Sequence, residues 1–127
     1  MLSDARLQTL VLTSNVERSR TFYSDTLGLS LVGMSLGALV YKVGSGELRV
    51  SPVPSTHPSE HTVFGFAVDD LEAIHADLKA KGVQFEQFSG MPHDDRGILR
   101  APDGSRVCWF RDPDGNLVSV VQYAMAS

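Results

Sequence analysis

Cysteine is almost missing from this chain: Cys108 stands alone, so an internal disulfide and a thiolate-based zinc cage are both excluded. No stretch approaches the ~18 consecutive apolar residues that a membrane-spanning helix needs. Positive charge is in the minority, with eleven Lys and Arg against fifteen Asp and Glu and a formal net charge of -4. Such a balance gives no general field for phosphate backbones or anionic lipid, so nucleic acid and membrane surfaces fall away as partners. The segment from Met1 to Arg6 lacks the basic stretch and apolar run of an export signal, and a cytoplasmic protein is expected. Nucleophile elbows, phosphate loops and dinucleotide fingerprints are also missing, which removes the hydrolase and nucleotide-binding readings. What remains is 127 residues, 43% hydrophobic and 20% charged, enough for one packed domain or for two half-size modules.

One pattern is written twice. A short apolar strand, Leu7 to Leu12, precedes Ser14-Asn15-Val16-Glu17, then Phe22, Tyr23, Leu27 and Gly28. The second half repeats the order: Val63 to Val68, then Asp69-Asp70-Leu71-Glu72, then Ile74, His75, Leu78 and Gly82. Ser14 with Glu17 and Asp69 with Glu72 fit capping boxes at two helix starts. Gly28 and Gly82 suit the left-handed position that closes a helix. After each helix the period shifts to two and turn residues punctuate the chain, which predicts strands. They read Leu29 to Gly33, Ala38 to Val43 and Glu47 to Val53, then Val83 to Phe88, Arg106 to Phe110 and Asn116 to Gln122. Each half is therefore βαβββ, and the Pro-rich stretch Pro52 to Glu60 marks a boundary near His57, between a module of residues 1–56 and one of 57–127.

Alternation sorts the faces. Phe64, Phe66 and Val68 share one side of their strand and need a helix against them; Val63, Gly65 and Ala67 share the other. The expected architecture is α+β, an eight-stranded mixed sheet cupped around a cavity with the helices on its convex side. A concave, mostly apolar cavity with a few polar groups is a ligand site. By the repeat, Gln8 faces the cup as Val63 does, and Ser119 faces it if the last strand buries Val118 and Val120. Water at a sheet rim would satisfy Gln8 and Ser119 equally well. Trp109, the single tryptophan, either fills the core or stacks on a ligand. In the loop His93-Asp94-Asp95-Arg96-Gly97, Asp95 has the chemistry of a base and Arg96 that of an anion clamp, although a solvated charged loop explains them too. Cys108 lies mid-strand with no cationic neighbour in sequence, as a buried, inert thiol does.

The chain resembles the glyoxalase, bleomycin-resistance and dioxygenase superfamily, the vicinal oxygen chelate fold. The resemblance rests on Asn15-Val16-Glu17-Arg18-Ser19, Phe22-Tyr23, Leu27-Gly28-Leu29, Val68-Asp69-Asp70-Leu71-Glu72 and above all Phe110-Arg111-Asp112-Pro113-Asp114-Gly115-Asn116. It implies a cupped eight-stranded sheet and commonly a homodimer. It also implies, in metal-dependent members, His, Gln or Glu ligands to a divalent ion on the first, fifth and last strands and at the end of the first module. Those positions fall here on Gln8, Val63, Ser119 and either Arg49 or Val50, a set too poor in donors to offset dehydration of an ion. His61, two residues before Val63 and about 6.6 Å along the strand, would face the same side; an exposed histidine at a strand start is the alternative. His57, His75 and His93 show no metal-ligand spacing. The sequence thus predicts a metal-free, cofactor-free homodimer binding a small amphipathic molecule. The cavity residues would be Gln8, Arg49, His61, Val63, Arg96, Trp109 and Ser119. The competing reading is a metal-dependent lyase or dioxygenase of the same superfamily.

Overall fold

A computed structural model describes residues 1–124. The chain forms two compact units, Met1 to Pro58 and Ser59 onward. Each is a βαβββ module with its own four-stranded sheet.

In the first module, β1 (Gln8–Thr13) leads into α1 (Val16–Arg20), whose chain continues as a wider π-type turn over Thr21–Thr26, followed by β2 (Ser30–Ser35), β3 (Ala38–Val43) and β4 (Gly46–Pro52). The strand order is β1-β4-β3-β2, with β1 parallel to β4 and the other pairs antiparallel. The second module repeats it: β5 (Thr62–Ala67), α2 (Leu71–Ala80), β6 (Leu99–Arg100), β7 (Arg106–Arg111) and β8 (Leu117–Gln122), in the order β5-β8-β7-β6.

The helix starts lie one residue later than the capping boxes suggested. Asn15 Oδ1 accepts from the Arg18 amide at 3.0 Å, and Asp70 Oδ1 from the Ala73 amide at 3.1 Å. Ser14 and Asn15, like Asp69 and Asp70, are adjacent short acceptors, and the one that caps is the one whose side chain meets the amide three residues on. Gly28 and Gly82 close the helical segments with φ of 72° and 92°, a conformation that strains any residue with a β-carbon. The sixth strand departs further from the sequence reading. Val83 to Phe88 contributes only the single bridge Phe85–Phe110, and the two-residue strand Leu99–Arg100, read from sequence as loop, takes the remaining pairing positions on β7. Two fragments separated by a loop thus share one strand edge.

Burial separates the two faces of each sheet. Val11, Thr13, Leu39, Tyr41, Leu48 and Val50 are buried in module 1. Leu71, His75, Leu78, Cys108, Phe110, Val118 and Val120 are buried in module 2. The spacing Leu71, His75, Leu78 is one stripe of α2. On the other face, Leu10 and Leu12 remain 55% and 43% exposed and Val63 39%. These apolar side chains point away from the helices, as alternation predicted.

The turn between β7 and β8 explains the densest sequence motif. Asp112 Oδ1 accepts from the amides of Asp114 and Asn116 at 3.0 and 2.8 Å, and its Oδ2 from Asn116 Nδ2 at 2.8 Å. One buried carboxylate thus satisfies three N–H donors of the hairpin, while the Gly115 amide donates to the Asp112 backbone carbonyl.

Candidate functional site: the open faces of the two sheets

On module 1 the open face carries Gln8, Leu10 and Leu12 from β1, paired in register with Glu47, Arg49 and Ser51 of β4. Of the two positions left open in the sequence, Val50 is fully buried and Arg49 lies on the open face, beside Leu10 and Val40. Its guanidinium donates from Nη2 to the Ser35 carbonyl at 2.7 Å, and Nη1 lies 3.7 Å from Glu47 Oε1. Glu47, which the sequence reading passed over as an ordinary strand residue, stands directly across from Gln8 and also faces Arg6 at 3.9 Å. Gln8, Glu47, Lys42 and Arg6 line a hollow of ≈ 480 Å³ within this module. Only the register, which pairs residues far apart in sequence, reveals that Glu47 neighbours Gln8.

On module 2 the open face carries Val63, Gly65 and Ala67 from β5 beside Ser119 from β8 and Trp109 from β7. Gly65 is paired with Ser119, and Ser119 with Trp109. Ser119 lies on the opposite face from the buried Val118 and Val120, as expected. Trp109 is half-buried and meets two rings edge-on, Phe88 at 5.3 Å and His93 at 5.6 Å, the three forming a triangle. Its indole Nε1 donates to Thr62 Oγ1 at 3.1 Å. The register slips between Thr62 and Phe64, a bulge that breaks the alternation on which His61 was placed beside Val63. Thr62, not His61, therefore meets Trp109. His61 is exposed ahead of β5, its amide donating to Ser59 Oγ at 2.9 Å.

His93 enters this cluster from the loop. Its Nδ1 donates to the Gly97 carbonyl at 2.9 Å, which fixes the ring and leaves Nε2 buried without a hydrogen-bond partner. His75 likewise donates from Nε2 to the Arg96 carbonyl at 3.0 Å while stacking on Phe85, ring centres 4.0 Å apart. Two histidines thus hold two consecutive loop carbonyls. Arg96 itself turns to Glu72 on α2 and to Asp94, so it is not brought together with Trp109 and Ser119. Asp94 accepts from the amides of Arg96 and Ile98 at 2.8 and 2.9 Å. Burial tends to raise its pKa, but these amides and the Arg96 guanidinium outweigh it and hold the carboxyl below its ordinary range. Cys108 is fully buried, and that burial, with Asp94 and Glu72 adding to it, pushes the thiol up to about 12.

Among the described residues no three His, Cys, Asp or Glu side chains gather where they could hold a metal ion. No helix among them is long and apolar enough to cross a membrane.

Comparison with known proteins agrees with this architecture. The chain is 27% identical over 129 aligned positions to the uncharacterized protein YraH of Bacillus subtilis (strain 168), covering 90% of this chain and 94% of that one. Its fold superposes on the lactoylglutathione lyase of Agrobacterium tumefaciens with a TM-score of 0.70 at 23% identity, covering 94% and 93% of the two chains. It superposes on a bleomycin resistance determinant encoded on the transposon Tn5 with a TM-score of 0.73 at 22% identity, covering 95% and 99%. The sequence profile of one family matches residues 6–120, a span that takes in both βαβββ modules. With its doubled strand order and its Asp112-centred hairpin, the chain belongs to the glyoxalase/bleomycin resistance protein/dioxygenase superfamily.

Proposed function

We propose that this protein binds a small amphipathic molecule against its open sheet faces, without a divalent ion, and acts as a homodimer in the cytoplasm. The observation that carries the reading is the chemistry of those faces. The module 1 face offers exposed Leu10 and Leu12 with Gln8 and the charged pair Glu47 and Arg49; the module 2 face offers Val63 and the Trp109–Phe88–His93 aromatic cluster with Thr62 and Ser119. Apolar contact and ring packing supply affinity on such a surface, and the few polar groups supply orientation.

The donor set does not fit a resident metal. At the positions where metal-dependent relatives carry ligands, this chain offers the Gln8 amide, the Val63 hydrocarbon, the Arg49 guanidinium and the Ser119 hydroxyl. Hard and borderline divalent ions take carboxylate, imidazole or several oxygens, and a cation beside Arg49 would meet repulsion. Homodimerisation is supported by the sheet ends: among the described residues β1 and β2 end the module 1 sheet and β5 and β6 the module 2 sheet, and strand edges of this kind invite a partner.

The test is a titration of Trp109 fluorescence in chelated buffer with bleomycin and a panel of amphipathic aromatic amines, alongside elemental analysis of the purified protein. A saturating response at metal content near zero, with the metal content still near zero in Gln8→Ala, supports the reading. Stoichiometric zinc, nickel, manganese or iron that is lost together with lactoylglutathione lyase or dioxygenase activity on chelation would overturn it.

A further inference from the structure

The side of the module 2 sheet that carries α2 holds a second feature, separate from Trp109 and Ser119. Arg100 on β6 and Arg106 on β7 stand directly opposite each other, so their side chains leave the same face. Arg106 shares that face with Cys108 and Phe110, while Trp109 alternates to the other. Like charges at directly paired positions repel. For Arg106 the repulsion is answered: Nη1 donates to Glu72 Oε1 at 2.8 Å and Nη2 to Gln122 Oε1 at 3.0 Å. Arg96 is answered by Glu72 and Asp94. Among the described residues the Arg100 side chain has no counter-ion.

Two hollows meet at this pair. One, of ≈ 570 Å³, is lined by Asp69, Arg100, Arg106, Gln122 and Tyr123 and the backbone at Gly104 and Ala124; the other, of ≈ 380 Å³, runs past His93 and Arg96, with the Glu72 and Asp94 carboxylates that pair with Arg96 and Arg106, and shares both Arg100 and Arg106. We infer that this face holds a small oxyanion, the phosphate or carboxylate group of a metabolite, between Arg100 and Arg106.

The chemistry follows from the donors. Guanidinium groups match two oxygens of a carboxylate or phosphate at once. Arg106 is already fixed by Glu72 and Gln122, so little side-chain freedom is lost when an anion arrives. Gln122 Oε1 is occupied by the Leu71 amide at 2.9 Å and by Arg106, which leaves its amide NH₂ as a further donor. The Asp69 carboxylate in the lining repels additional negative charge and selects a compact anion over a polyanion.

Inorganic phosphate is the first probe, titrated at constant ionic strength into isotope-labelled protein and followed through the arginine side-chain and backbone N–H resonances. Saturating shifts at Arg100 and Arg106 and at the backbone amides of Gly104 and Ala124, which line the larger hollow, are expected and should be absent when chloride replaces phosphate. Arg100→Gln should weaken the midpoint about tenfold, the loss of a charge-assisted pair. Arg100 is exposed, so this variant keeps the fold, and an unchanged spectrum away from the two hollows verifies that. Acetate acting as phosphate does assigns the site to carboxylates as well; phosphate acting alone assigns it to phosphate. Shifts that stay linear to tens of millimolar, or that saturate identically in Arg100→Gln, would overturn the inference.

Discussion

The hydroxyl of Ser119 fills the space that a β-carbon on Gly65 would need: such a carbon would lie 2.0 Å from Ser119 Oγ, 3.1 Å from its carbonyl oxygen and 3.3 Å from its Cβ. The two residues are paired across β5 and β8, so Gly65 is present because of what faces it. Gly65→Ala is expected to cost about 1–3 kcal/mol, the usual price of overpacking, measured by urea denaturation. Rotating the hydroxyl relieves only the first of the three contacts. Ser119→Gly in the same chain should restore most of the loss, and equal destabilisation in the single and double variants would refute the pairing as the cause.

Asp112 holds the β7–β8 hairpin by accepting from three N–H groups. Removing the carboxylate takes its acceptor from three N–H groups of the hairpin, and each hydrogen bond lost at a buried donor costs roughly 1–3 kcal/mol. Asp112→Ala should therefore lower stability by about 3 kcal/mol, and Asp112→Asn, which keeps one oxygen acceptor, by about half as much. A thermal melt in which the alanine variant matches the parent would show that the hairpin finds other partners.

Helix capping separates neighbouring residues that the sequence could not. Asp70 accepts from the Ala73 amide, so Asp70→Ala should cost about 1 kcal/mol. Asp69→Ala should fall within about 0.5 kcal/mol of the parent, as surface changes do. The reverse order in chemical denaturation would restore the capping box at Asp69 and Glu72.

That one-residue ambiguity shows how far the sequence reads. The doubled βαβββ order was legible because strand alternation and helix punctuation are local signals, and Val63 and Phe64 fall on the opposite faces that alternation assigned. The sixth strand was not legible, because Phe85 and Leu99 pair with β7 from opposite ends of a loop containing Gly90, Pro92 and Gly97. Such pairing is decided by which strand edge is free, not by local propensity. The site neighbours split the same way. Gln8, Ser119 and Trp109 follow from periodicity, whereas Glu47 beside Gln8 needs the β1–β4 register, and Thr62 beside Trp109 needs a bulge. Arg96 has the chemistry of a clamp, but only the fold shows that Glu72 and Asp94 already occupy it.

Cys108 should be inert in the native state. Its thiol is buried and pushed up to about 12, so almost no thiolate exists at neutral pH and no path leads a reagent to it. An aromatic disulfide reagent at pH 8 should label it only as fast as the protein unfolds. Labelling of the native protein at the rate of a free thiol would contradict the burial of the strand between α2 and the open face.

Acid should loosen the contact between α2 and the loop through Arg96. Its guanidinium bond, joined by Arg106 and opposed by desolvation, holds the Glu72 carboxyl below its ordinary range; Asp94 is lowered as well. A carboxylate with a depressed folded pKa contributes stability in full above its unfolded pKa, about pH 4, and loses it as pH falls through the folded value. Arg96→Gln removes the partner common to both groups, so both carboxyl titrations should move upward when followed by carbonyl-detected NMR. Glu72 should rise only part of the way, because Arg106 still donates to it at 2.8 Å. The acid limb of the stability curve should flatten in the same variant, since less of the folded-state preference for the ionised form is left to lose. A Glu72 titration that does not move in Arg96→Gln would assign the depression to Arg106 alone and leave the loop independent of α2 at low pH.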